Sequence, residues 1–116
     1  MKVLLVDDER KFATMLAKRL TLRGIDIDPV FTGEDAVVKA ERKRYDVAIL
    51  DVKMPGIGGI ELERKLKELD PAMKIIFLTG HGSKTDFETG SAKAACYLAK
   101  PIQIDELISI LREVTG

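Results

Sequence analysis

Cysteine, histidine and tryptophan are almost missing from this 116-residue sequence, which has one cysteine, one histidine and no tryptophan. A single cysteine, Cys96, excludes an internal disulfide, and one histidine cannot complete a zinc site of the usual cysteine and histidine ligands. Cys96 is therefore expected to be a small buried side chain beside a strand.

The sequence also lacks an excess of charge of either sign, because 19 lysines and arginines balance 19 aspartates and glutamates. No overall field then attracts nucleic acid or an anionic membrane surface, so we predict neither as a direct partner. Long hydrophobic runs are missing too, since the apolar stretch that follows Lys2 is shorter than a signal-peptide core or a membrane span. These absences predict a cytoplasmic protein.

What is present is a regular alternation of short aliphatic runs and amphipathic stretches. The length and a hydrophobic content of 46% fit one globular domain over residues 1–116, with no output domain inside it. The alternation is typical of repeated β-α units around a parallel sheet. We therefore predict an α/β fold with helices on both faces of the sheet.

Five strands are predicted, and they cover residues 2–6, 25–30, 46–50, 74–78 and, more weakly, 96–98. The first, third and fourth are apolar on both faces, as the interior strands of a sheet covered on both sides must be. These three strands should be central.

Helices are predicted between the strands from the spacing of apolar residues. Gly24 stops the first helix, Thr32 and Asp35 resemble a capping box before the second, and Pro71 follows the third. A helix within residues 83–95 should be the least stable, because Phe87 is its only large apolar residue. The apolar stripes of the other helices are Phe12, Met15, Leu16 and Leu20; Ala36, Val37 and Ala40; Leu62, Leu66 and Leu69; and Ile104, Leu107, Ile108 and Leu111.

Polar side chains follow the predicted strands directly: Asp7 and Asp8, Asp51, Thr79 and Lys100. In a parallel sheet these ends meet at one edge, which gathers three carboxylates, a hydroxyl and an ammonium. Three like charges held together favour a hard cation, typical of a metal site for phosphate chemistry. Apart from Asp51, each residue also has an ordinary alternative: an N-cap for the first two aspartates, a loop residue for Thr79 and a surface lysine for Lys100.

Asp51 is the candidate nucleophile, because it follows a buried strand and precedes a loop that Pro55 and Gly56 keep from continuing as a helix. A carboxylate in such a place can form an acyl phosphate. Asp7 and Asp8 would hold Mg²⁺, while Thr79 and Lys100 would bind phosphoryl oxygens.

Pro101 directly follows Lys100. A cis peptide bond between them would aim the Lys100 side chain across the strand ends.

The motifs together resemble the receiver domain of two-component response regulators, and the resemblance spans the chain. The matching segments are Leu4-Leu5-Val6-Asp7-Asp8-Glu9, Asp51-Val52-Lys53-Met54-Pro55-Gly56, Leu78-Thr79-Gly80 and Tyr97-Leu98-Ala99-Lys100-Pro101.

The resemblance implies a doubly wound, flavodoxin-like sheet of strand order 2-1-3-4-5 and a phosphorelay function. Asp51 would accept a phosphoryl group from the phosphohistidine of a sensor histidine kinase or a histidine phosphotransfer domain. Asp7 and Asp8 would form the acidic pair, with Asp8, Asp51 and the backbone carbonyl of Lys53 coordinating Mg²⁺.

The resemblance also implies a switch. Thr79 and Tyr97 would be the switch pair, and the fourth helix, fifth strand and C-terminal helix would form the switched surface for an output domain or protein that the sequence does not specify. The domain would not be an enzyme in the usual sense, since it would only assist its own phosphorylation and slow dephosphorylation.

Three features depart from the family's pattern or vary within it. Gly58 stands where the family commonly has an aspartate, which should loosen that loop. The segment between Thr79 and Lys100 is one position short, which puts the predicted fourth helix in doubt. Lys53 and His81 lie where family members tune the lifetime of the phosphoryl group, although both are equally compatible with ordinary solvated side chains.

Two other classes share parts of the pattern. A haloacid-dehalogenase-type aspartyl phosphatase needs a second carboxylate two positions after its nucleophile, but Lys53 occupies that position. A flavodoxin-like nucleotide-binding module needs hydroxyl and N–H groups after the first strand, where Asp7, Asp8 and Glu9 would repel an anion.

Overall fold

A computed structural model describes residues 1–79, 96–100 and 102–116 of the chain. The predicted helix within residues 83–95, Gly80, His81 and Pro101 lie outside the described residues. The elements in chain order are β1 (Lys2–Val6), α1 (Arg10–Leu22), β2 (Asp26–Val30), α2 (Gly33–Arg42), β3 (Val47–Asp51), α3 (Gly59–Leu69), β4 (Lys74–Thr79), β5 (Cys96–Ala99) and the C-terminal helix (Ile104–Thr115).

The strands form one parallel sheet in the order β2-β1-β3-β4-β5, as predicted. All five residues of β3 are buried, and β1 and β4 are exposed only at their first residue. Pro29 lies in β2, opposite Leu5. A proline is tolerated there because β2 is at the edge of the sheet, where no further strand needs a hydrogen bond from an outward-facing N–H.

Two hydrophobic layers cover the two faces of the sheet. Leu5 packs with Leu16 and Leu107, from α1 and the C-terminal helix. Its neighbour Leu4 points to the other face and packs with Leu62, from α3. Consecutive strand residues point to opposite faces, so both must be apolar when helices cover both sides. The predicted doubly wound arrangement is confirmed.

The sequence-based boundaries need small corrections. Asp51 and Thr79 are the last residues of β3 and β4 rather than the first residues after them, because they still pair with Leu78 and Ala99 in the ladder. The second strand begins at Asp26, one residue later than predicted, the third likewise at Val47, and the fifth extends to Ala99.

Two residues of the predicted apolar stripes do not face the core. Met15 is 45% exposed and Leu69 is 44% exposed. Met15 precedes the buried Leu16 by one position, and successive helical residues are rotated by about 100°. Spacing of three or four residues alone did not reveal which edge of the stripe would face solvent.

The predicted helix ends are confirmed at two places. The Thr32 hydroxyl accepts a hydrogen bond from the Asp35 N–H at 3.1 Å, as an N-cap residue does. Gly24 follows α1 with φ at 83°, a conformation that glycine adopts without strain.

Among the described residues, no helix combines the length and apolar character needed to cross a membrane.

Candidate functional site

Three carboxylates meet at the carboxyl edge of the sheet. Asp7 directly follows β1, Asp8 comes next, and Asp51 ends the adjacent strand β3. One carboxylate oxygen from each residue lies within 4.8 Å of the other two. Asp7 is fully buried and Asp51 is 5% exposed, whereas Asp8 is exposed. The three-carboxylate group is therefore shielded from solvent at Asp7 and Asp51 and accessible to solvent at Asp8.

The two oxygens of the Asp7 carboxylate have different partners. Its Oδ1 accepts a hydrogen bond from the Glu9 N–H at 2.9 Å. Its buried Oδ2 lies 2.7 Å from the Lys100 ammonium, and no other described residue donates a hydrogen bond to it, which leaves part of its capacity as an acceptor unused. A buried oxygen with this unused capacity suits a hard cation. The N-cap of α1 is Glu9, so neither Asp7 nor Asp8 occupies that position.

Asp51 is a carboxyl group whose environment disfavours its charge. Burial, and then the negative charge of Asp7, raise the pKa of Asp51 to about 7, and Asp8 contributes in the same direction. The Lys100 ammonium and a hydrogen bond from the backbone N–H of Lys53 lower the pKa but do not compensate. A divalent cation would remove this penalty, so the residues present fit a Mg²⁺ site.

The raised pKa predicts that stability falls as pH rises. The pKa of Asp51 is 3.8 in its ordinary state and about 7 in the fold, so between these values the folded protein binds the extra proton. The free energy of unfolding should therefore decrease from pH 4 to pH 7, by up to about 4 kcal/mol for a shift of about three pKa units. Mg²⁺ should reverse part of the loss at pH 7.

Denaturant unfolding at several pH values, for the wild type and Asp51→Asn, measures this effect. Carboxylates that do not interact with Asp51 contribute equally to both proteins, so the difference between the two curves reports Asp51 and its coupling to Asp7, Asp8 and Lys100. The asparagine variant should be more stable than the wild type at pH 7 and lose this advantage towards pH 4. Parallel curves would contradict the prediction.

Lys100 is not an ordinary surface lysine, since its side chain is largely buried, with 10% exposed. Its Nζ lies 2.7 Å from Asp7 Oδ2, 2.9 Å from Glu9 Oε1 and 3.9 Å from Asp51 Oδ2. Its backbone N–H donates to the Thr79 carbonyl at 2.7 Å, which continues the pairing of β4 and β5. Burial lowers the pKa of Lys100, but its contacts with Asp7 and Glu9 outweigh burial and raise it. The ammonium therefore stays charged.

The other predicted site residues are described to different extents. Thr79 is buried at the end of β4, beside the end of β3 that carries Asp51. The Lys53 side chain is exposed. The backbone of Tyr97 pairs with Phe77, whereas the side chain of Tyr97 and the whole of His81 lie outside the described residues.

Glu9 and Phe12 are contacts of Lys100 that the sequence analysis did not assign. The Phe12 ring lies under the Lys100 ammonium, with 4.5 Å between Nζ and the ring centroid. Glu9 follows the two predicted metal ligands, and its carboxylate remains 62% exposed. Its position as a third consecutive acidic residue was the available signal, but nothing in the sequence paired it with a lysine 91 residues away.

Gly59 is a second unassigned residue. A Cβ at Gly59 would lie 2.9 Å from the Cα of Val52 and would collide with the Asp51 carbonyl oxygen. The Gly59 N–H donates to the Val52 carbonyl at 3.1 Å. The start of α3 therefore packs directly on the backbone that carries Asp51, which only glycine allows.

The loop between β3 and α3 is also attached to α2. The Glu34 Oε1 accepts a hydrogen bond from the Ile57 N–H at 3.3 Å and lies against Gly56, whose φ is 76°. Gly58 has an ordinary extended backbone, so its conformation does not require glycine. The absent side chain at Gly58 leaves α3 without a side-chain N-cap.

Comparison with known proteins finds relatives of one kind, the response regulators. A model of the response regulator receiver domain family matches residues 3–112. The transcriptional regulatory protein TcrA of Mycobacterium tuberculosis is 36% identical over 115 residues, which cover 98% of this chain and 46% of TcrA. The chain spans about half the length of the curated relatives it matches.

Solved structures show the same similarity. The response regulator TrrA of Thermotoga maritima, in complex with Mg²⁺ and BeF, has a TM-score of 0.87 and 34% identity over 97% of both chains. A response regulator of Burkholderia pseudomallei, with a phosphorylated aspartic acid and a calcium ion, has a TM-score of 0.85 and 28% identity, covering 95% of this chain and 65% of that one. This chain therefore belongs to the family of receiver domains of two-component response regulators.

Proposed function

We propose that Asp51 is the phosphoacceptor of this receiver domain and that a sensor histidine kinase or a histidine phosphotransfer domain is the donor. The observation that carries the proposal is the placement of the buried Asp51 at the end of a central strand, where its carboxylate, the buried Asp7 and the exposed Asp8 bring three oxygens within 4.8 Å of one another. Such a group is unfavourable without a cation and suits phosphoryl transfer with one.

In the proposed reaction a carboxylate oxygen of Asp51 attacks the phosphorus of the phosphohistidine. The new O–P bond forms as the N–P bond breaks, and the imidazole leaves with the electron pair and takes a proton from water. Asp7, Asp8, Asp51 and the backbone carbonyl of Lys53 would hold Mg²⁺, which neutralises charge on the phosphoryl oxygens when bound.

The protein's own groups supply the rest of the positioning. The backbone N–H of Lys53 orients the Asp51 carboxylate. Lys100, 3.9 Å from Asp51 Oδ2, would neutralise one phosphoryl oxygen, and the Thr79 hydroxyl would donate a hydrogen bond to another. Movement of Thr79, coupled to Tyr97, would then change the surface formed by residues 83–95, β5 and the C-terminal helix.

A small donor with an N–P bond, phosphoramidate, tests the proposal without knowledge of the kinase. With Mg²⁺, intact-protein mass spectrometry should show one added phosphoryl group, and EDTA should prevent the addition. Hydroxylamine should release the group, because acyl phosphates react with it and phosphate esters of serine or threonine do not. Modification without a divalent cation, or modification that resists hydroxylamine, would contradict the proposal.

Lys53 is expected to tune how long the phosphoryl group survives. Its exposed side chain follows Asp51 by two positions, where it would border the path of a water molecule towards the acyl phosphate. Lys53→Ala should change the rate of dephosphorylation but still allow phosphorylation. Decay followed by mass spectrometry after removal of the donor measures the rate, and identical decay in wild type and variant would mean that Lys53 has no role in dephosphorylation. We propose the same role for His81.

A further inference from the structure

We propose that Glu9 is a positioning residue that holds the Lys100 ammonium away from Asp51 in the unphosphorylated protein. This inference rests on the proposed function of Asp51. The Glu9 carboxylate is 2.9 Å from Lys100 Nζ, whereas the nearest oxygen of Asp51 is 3.9 Å from it. Lys100 therefore makes its short contacts with Asp7 and Glu9 and only a longer one with the nucleophile.

The position of the ammonium is defined by three groups on one side of the site. Asp7 and Glu9 contact Nζ at 2.7 and 2.9 Å, and the Phe12 ring lies 4.5 Å away. All three groups belong to the segment between the end of β1 and the first turn of α1. A cation over an aromatic face and between two carboxylates has a stable resting place.

Glu9 differs from Asp7 in a way that makes it the adjustable member of the three. Asp7 is fully buried and belongs to the predicted metal site, so it cannot change without changing the site. The Glu9 side chain is 62% exposed, and water can replace Lys100 as its partner. If Lys100 moves towards a phosphoryl oxygen, its contacts with Asp7 and Glu9 both oppose the movement, and only the contact with Glu9 can be removed without changing the metal site.

The test measures the affinity for beryllofluoride, a stable analogue of the phosphoryl group, in the presence of saturating Mg²⁺. Isothermal titration calorimetry gives the dissociation constant without any turnover. Glu9→Gln should bind beryllofluoride about two- to fivefold more tightly than the wild type, the range expected for a partly exposed ion pair. Glu34→Gln removes a negative charge beside a different loop, the one between β3 and α3, without contacting Lys100, and it should change the affinity less.

A double-mutant cycle shows whether Glu9 acts through Lys100. Lys100→Met should weaken the binding of beryllofluoride, and in that background Glu9→Gln should have no further effect. An unchanged or weakened affinity of Glu9→Gln, or the same gain with and without Lys100, would overturn the proposal. If the wild type binds no beryllofluoride with Mg²⁺, the proposed function fails and this inference fails with it; if the wild type binds and Glu9→Gln does not tighten binding, only the inference fails.

Discussion

Asp51→Asn should gain no phosphoryl group from phosphoramidate and Mg²⁺ under conditions in which the wild type gains one. The amide of asparagine is not a nucleophile towards phosphorus, so the loss should be complete rather than partial. The substitution preserves the shape of the side chain and removes a buried negative charge, so the fold should persist. Intact-protein mass spectrometry of both proteins, at equal donor concentration, measures the outcome.

Two further variants separate the acceptor from its surroundings. Asp8→Asn keeps the nucleophile but removes a predicted metal ligand, so it should be phosphorylated much more slowly and require more Mg²⁺. Asp35→Asn changes an exposed carboxylate on α2, outside the three-carboxylate group, and should behave as the wild type. Full phosphorylation of Asp51→Asn would show that the acceptor lies elsewhere in the chain.

Gly59→Ala should destabilise the protein by about 3 kcal/mol, because the added methyl group must displace backbone rather than a flexible side chain. The atoms in its path belong to Asp51 and Val52, the end of the strand that carries the nucleophile and the residue after it. Phosphorylation by phosphoramidate should slow as well, since the carboxylate of Asp51 would move with its backbone.

Gly58→Ala is the matched control for this substitution. A Cβ at Gly58 meets only the Val52 carbonyl oxygen, at an ordinary 3.7 Å. Its cost should therefore stay below about 1 kcal/mol, the loss expected at an N-cap position. Denaturant unfolding of both variants gives the comparison. Equal stabilities would mean that the start of α3 can move away from Asp51 without cost.

Much of the fold follows from the local pattern of residues. Apolar runs such as Val47 to Leu50 are buried on both faces, and this predicted central strands in a sheet covered by helices. Parallel strands all end at the same edge, so the approximate strand ends at Asp7, Asp51 and Lys100 were enough to predict one site. The sequence by itself therefore determined the architecture, the convergence of the three aspartates and Lys100, and the family.

The tertiary structure alone decided how those residues interact. The raised pKa of Asp51 depends on burial and on the distance to Asp7, which no spacing along the chain reveals. The contacts of Lys100 with Glu9 and Phe12 join residues far apart in sequence. The requirement for glycine at Gly59 arises because α3 packs on the Asp51 backbone. Periodicity reports which face of an element is apolar, whereas desolvation, ion pairing and close backbone contact are set by how the elements pack against one another.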